Sequence, residues 1–136
     1  MIASTLNADY DRLLAKLKDS VILQSVESLA GWDMQTKMPP KGIELRSQQL
    51  ALLSRFEHKM NTDPEIGVLL ERIEKNLDFA ALNELQRRNI YLARKNYDEQ
   101  TKLPEKLVVE TAKQGAITVD VWKKAKVAKN FSIPQA

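Results

Sequence analysis

Cysteine is absent from this 136-residue chain, and histidine occurs once, at His58. Without thiols there is no disulfide scaffold, no thiolate zinc site, no iron–sulfur cluster and no cysteine nucleophile. With a single imidazole, no metal site built on two histidines can form within the chain. Glycine (4), proline (5) and aromatic residues (6%) are also scarce. That scarcity disfavours a sandwich or barrel of many short strands, whose turns consume glycine and proline, and favours helices. No run approaches the roughly 18–20 apolar residues of a membrane span. The N-terminal residues Met1–Tyr10 lack the basic start and apolar stretch of a secretory signal. No membrane association is expected, and the expected location is the cytoplasm.

Hydrophobic residues make up 43% and charged residues 29% of the chain, with a net charge of +3, which is the balance of a folded globular domain. The whole of residues 1–136 reads as one helical unit. Lysines gather late, at Lys123, Lys124, Lys126 and Lys129. No aromatic-basic motif accompanies them, so nucleic-acid binding is not expected.

Apolar residues recur at helical spacing nearly throughout. Tyr10, Leu13, Leu14, Leu17 and Val21 form a first stripe, continued out of phase by Ile22, Val26 and Leu29, with Asn7 or Asp9 as the expected cap and Gly31 near the expected end. Met38-Pro39-Pro40-Lys41-Gly42 is a break, because consecutive prolines cannot sit inside a helix. A second helix is expected from Ile43 to Met60, turning Leu45, Leu52, Leu53, Phe56 and Met60 inward. Asn61-Thr62-Asp63-Pro64-Glu65 reads as a stop followed by a start, and Ile66, Leu69, Leu70, Ile73 and Leu77 give a third helix. Asp78 is the expected cap of a fourth, running to Thr101 with Leu82, Leu85, Leu92 and Ala93 inside and Asn89 and Asn96 on the same side. Pro104 opens a fifth that reaches Lys129. Its expected inner face is small: Val108, Thr111, Ala112, Gly115, Thr118, Trp122 and Ala125. The β-branched run Ile117–Val121 within it would also suit a strand. The result is an all-α fold of about five helices in antiparallel hairpins with short capped turns.

Catalytic motifs are missing. Glu57-His58-Lys59 is no H-E-x-x-H, and His58 is expected at the surface or at a helix end. Glu71 and Glu74 read as a solvated pair. There is no P-loop, no dinucleotide-binding glycine cluster and no nucleophile elbow.

One stretch is more specific. It runs Gly31-Trp32-Asp33-Met34-Gln35-Thr36-Lys37-Met38-Pro39-Pro40, followed by Arg46 and Gln49-Leu50-Ala51. This pattern, W-D-x-x-T-x-M-P-P then R-x-x-Q-L-A, resembles the N-terminal region of the thermostable carboxypeptidase Taq family of zinc metallocarboxypeptidases. The resemblance continues through His58, through Thr62–Leu70, through Arg94–Val108, and into Trp122 and Asn130-Phe131-Ser132. Gln35 and Lys37 depart from the family's acidic and apolar or aromatic residues at those places.

The resemblance implies a piece of a larger helical peptidase fold with a deep cleft. The family removes C-terminal residues from peptides with one zinc or cobalt ion, held by H-E-x-x-H and a downstream Glu. Those elements lie beyond the matched region, so this chain is expected to bind no cofactor, to supply no catalytic or metal residue, and to be inactive alone. Trp32, Asp33, Thr36, Met38, Pro39, Arg46 and Gln49 are its candidate cleft-bordering or structural residues. On the corner reading, Trp32 buries its indole where the first two helices meet, while Asp33 and Thr36 satisfy free backbone donors. The expected partner is the missing catalytic region or a self-associating copy, with peptide substrate bound only by the complete enzyme. The alternative is a non-enzymatic helical interaction module.

Overall fold

The computed structural model describes residues 2–130, which form α1 (Ile2–Thr36), α2 (Ile43–Asn61), α3 (Pro64–Glu74), a 3-10 turn at Phe79–Ala81, α4 (Glu84–Thr101) and α5 (Glu105–Ala128). No strand occurs among the described residues, so the all-α class holds. Phe131-Ser132, the last element of the resemblance, lies outside the described residues. The helices divide into two compact units: Met1–Ile22 with His58–Leu103, and Leu23–Glu57 with Pro104–Ala136.

The first unit has a conventional core. Leu6, Tyr10 and Leu13 of α1 pack with Ile66, Leu69, Leu70 and Ile73 of α3 and with Leu82, Ile90 and Ala93. Leu70 and Ile73 are fully buried. The stop-and-start reading of residues 61–65 holds: the Asp63 carboxylate accepts from the Glu65 N–H at 3.0 Å, with Pro64 at the first turn where no donor is needed. That carboxylate also accepts from Lys16 Nζ at 2.7 Å, and Arg12 Nε reaches Glu65 at 3.0 Å. Arg72 reaches the buried Asp9 at 3.0 Å, so Asp9 serves as an ion-pair partner inside α1 and not as its cap. Leu77 lies past the end of α3 and is exposed.

Asp78 does not cap α4. It precedes the 3-10 turn and makes no side-chain cap bond. The cap is Asn83, which exchanges hydrogen bonds with Gln86 in a capping box. A box satisfies two orphan donors reciprocally, and the S/T/N-x-x-Q spacing occurs at residue 83 and not at 78. Leu82 and Ala93 are buried as expected, but Leu85 and Leu92 face solvent and Ile90 takes their place. Asn89 donates to the Tyr10 hydroxyl at 3.0 Å, whereas Asn96 is exposed.

The second unit buries small side chains. Among its described residues the buried apolar ones are Met34, Ala51, Ala116 and Ala125, and Ser47 is buried as well. Leu45, Leu52 and Phe56 of α2 are exposed at 62%, 48% and 47%. The inward expectation for them is overturned, because α2 turns its small residues at 47 and 51 inward at helical spacing. Met60, on the same helix within the first unit, is likewise exposed. On α5, Thr111, Gly115, Thr118 and Trp122 also face outward, while Ala116 and Ala125 are buried. A seam of alanines lets backbones approach more closely than Thr and Trp would permit, which selects this rotation. The run Ile117–Val121 is helical throughout, since a few tenths of a kcal/mol per β-branched residue cannot outweigh a whole helix.

Gly31 does not end α1, which continues to Thr36. One internal glycine costs about 1 kcal/mol, which the neighbouring good helix formers offset. The stop is at Pro39-Pro40, where the backbone N–H groups of Lys37 and Met38 both donate to the Asp33 carbonyl at 2.9 and 2.8 Å.

Candidate functional site

The seven candidate residues all fall at the corner between α1 and α2 in the second unit. Asp33 sits one turn before the end of α1, and Arg46 lies in the first turns of α2. Arg46 Nη2 donates to Asp33 Oδ2 at 2.7 Å, and Nη1 donates to the Ala30 carbonyl at 3.3 Å. One guanidinium therefore ties α2 to both the side chain and the backbone of α1. Thr36 donates to the Trp32 carbonyl at 2.7 Å, a bond within its own helix. Neither Asp33 nor Thr36 uses its side chain on free turn donors, as the corner reading expects. Both find a closer partner, one across the corner and one back along α1.

Pro39 accepts from the Gly42 N–H at 2.9 Å, which folds the link into a tight turn. Met38 packs against Gly42 so closely that a Cβ there would lie 2.8 Å from Met38 Cγ. Trp32 is not buried: 58% of it is exposed. Met34, two residues on and so on the other side of α1, takes the buried position, and the Trp32 ring lies along the outside. Together with Val26, Leu29, Leu52, Leu53 and the exposed Gln49, it lines a groove of about 590 Å³ that also takes in the Asp33–Arg46 pair.

Farther along the same helix pair is a group that spacing did not reveal. The Glu27 carboxyl on α1 lies beside Glu57 and Ser54 on α2. Its Oε1 is buried without a partner. Burial first, then the adjoining Glu57 carboxyl, pushes the Glu27 carboxyl up to about 7. The two glutamates are thirty residues apart in sequence, so only the antiparallel register of α1 and α2 brings them together.

His58 lies in the last turn of α2, which is the helix-end alternative, but it is 6% exposed with no hydrogen-bond partner at Nδ1, so the surface alternative does not hold. Among the described residues, no group of three or more His, Asp or Glu side chains is arranged to hold a metal ion. The donor chemistry agrees, since a catalytic ion of the kind the resemblance implies needs two imidazoles and the chain has one. The residues present do not fit that ion. No described helix is long and apolar enough to cross a membrane.

The family model for carboxypeptidase Taq (M32) metallopeptidases matches residues 12–136. The chain belongs to this family. Thermostable carboxypeptidase 1 of Thermus thermophilus is 34% identical over 128 residues, covering 90% of this chain and 24% of the relative. Thermostable carboxypeptidase 1 of Pyrococcus furiosus is 27% identical over 126 residues, covering 93% and 25% respectively. Carboxypeptidase 1 of Bacillus subtilis is 27% identical over 106 residues, covering 78% and 21%. This M32 chain thus spans about a quarter of the length of the relatives it matches.

Proposed function

We propose that this M32 chain forms part of the cleft wall or lid of a metal-dependent carboxypeptidase that removes C-terminal residues from peptides, and that it carries no catalytic centre itself. The observation that carries the reading is the family match over residues 12–136 in a chain with a single histidine. The metal, zinc or cobalt in the resembled enzymes, is held by the remainder of the polypeptide, and a cytoplasmic location belongs to the same proposal. Within this segment the Asp33–Arg46 pair and the Met38–Gly42 turn fix the corner, and Trp32 and Gln49 are its outward members.

The test is direct. The purified chain is analysed for bound zinc and cobalt and assayed against an N-blocked dipeptide with a free C-terminus. No stoichiometric metal and no turnover are expected, and both appearing together would overturn the proposal.

The exposed large side chains of the second unit also favour the second reading, an interaction module that self-associates. A concentration-dependent dimer in light scattering would support that reading. A clean monomer would argue against it.

A further inference from the structure

The two units are built differently. The first buries a full set of leucine, isoleucine and tyrosine side chains, whereas the second, among its described residues, fully buries Met34 and three alanines as its apolar set and exposes many of its large apolar residues. On α1, Val26, Leu29 and Trp32 follow one another at steps of three and are 46%, 66% and 58% exposed. On α2, Leu52 is about half exposed and Leu53 beside it is half-buried. These apolar side chains of α1 and α2 line a groove of about 590 Å³, a shape that accepts the ridge of a third helix.

The polar groups of the groove say what it is not. A small-molecule or peptide site keeps a few free, convergent polar groups to fix its ligand. Here Asp33 and Arg46 already satisfy one another at 2.7 Å, and Arg46 spends a second donor on the Ala30 carbonyl. What remains on offer is mostly apolar surface, with the exposed Gln49 amide among it.

We infer that this groove seats an amphipathic helix from the other three quarters of an M32 polypeptide, with apolar residues spaced i, i+3/i+4, i+7 lying between Leu29 and Leu52. The inference rests on the proposed function, since it takes the remainder of the family's chain as the occupant. Two observations select that occupant over a second copy. The chain spans only 24% and 25% of its relatives' length. Four residues of the family pattern, Trp32, Asp33, Arg46 and Gln49, are among those that line the groove.

The test uses the full 136-residue chain. It is co-expressed and titrated with the C-terminal three quarters of the Thermus thermophilus relative, the part beyond its match to this chain. The Leu29→Glu and Leu52→Glu variants are carried in parallel. Both positions are exposed, so each variant should retain the helical circular dichroism and the melting profile of the parent, and this is checked first. A one-to-one complex with blue-shifted tryptophan emission is expected, weakened at least tenfold by either variant. An equally tight complex with both variants, no complex at all, or a dimer of this chain that Leu29→Glu abolishes would each overturn the inference. Peptidase assay of the mixture keeps the two readings apart. A groove-dependent complex without turnover leaves the docking standing and counts against the carboxypeptidase reading. Turnover undiminished by the variants does the reverse.

Discussion

Lys123, near the end of α5, donates through Nζ at 2.5 Å to the carbonyl of Met34, eighty-nine residues earlier on α1. That carbonyl belongs to the last turn of α1, one of the four with no acceptor role left inside the helix. An ammonium there also meets the negative end of the helix dipole. Lys123→Met keeps the aliphatic stem and removes the charge and the donor, so it should destabilise the second unit by about 1 kcal/mol. Lys124→Met removes an i,i+4 pair with Asp120 whose lysine end is well exposed, and should change stability less than Lys123→Met. Urea denaturation of the two variants measures the difference.

Asn83, not Asp78, holds the start of α4. Asn83→Ala should cost about 1 kcal/mol and speed hydrogen exchange of the first α4 amides. Asp78→Ala should leave the exchange of those amides unchanged, and the reverse ranking would refute the capping-box assignment.

Gly67 on α3 lies against the ring of Tyr97 on α4, and a Cβ at residue 67 would stand 2.7 Å from the tyrosine hydroxyl and 3.0 Å from Cζ. Alanine gains about 1 kcal/mol over glycine in a helix, whereas overpacking costs about 1–3 kcal/mol. Gly67→Ala is therefore expected to be net destabilising in the parent. In a Tyr97→Ala background, where the obstacle is gone, the same change should stabilise. Thermal melts of the four-member cycle give the coupling energy.

The two units should answer acid in opposite directions. In the second, the Glu27 carboxyl titrates near 7 in the folded chain, above its ordinary range. The folded state there holds more protons than the unfolded one, so stability is full below the ordinary carboxyl range and falls as pH rises from about 4.5 to about 7. For a partly buried group this amounts to about 1–2 kcal/mol after solvent screening. In the first unit, the Lys16 ammonium holds the Asp63 carboxyl below its usual range, and the Arg12 guanidinium does the same for Glu65. Their contribution is present above the ordinary carboxyl range and is lost as pH drops below it. Residue-resolved hydrogen exchange between pH 3 and 8 separates the two responses, and Glu27→Gln should flatten the second unit's response between pH 4.5 and 7.

Helix existence and the breaks between helices were legible in the sequence because they depend on local chemistry. Pro39-Pro40 cannot continue a helix, and Asp63-Pro64-Glu65 starts one whatever surrounds it. Facing was legible only where a core of large side chains exists: Ile66, Leu69, Leu70 and Ile73 point inward as their spacing dictates. In the second unit the same logic inverted α2 and much of α5, because periodicity ranks leucine and tryptophan above alanine and serine. There the inward positions are held by the smaller residues, Ser47, Ala51, Ala116 and Ala125. Trp32 was misplaced for the same reason. The Glu27–Glu57 contact had no signal in sequence spacing, since it depends on the register between α1 and α2.

The one imidazole of the chain, shut away at the last turn of α2, makes a reporter that needs no engineering. Acylation by diethyl pyrocarbonate has a single ring to attack, and that ring is reached only when the packing around it opens. The time course of carbethoxylation should therefore track breathing of the first unit alone, a clock set by the protein and read at one atom.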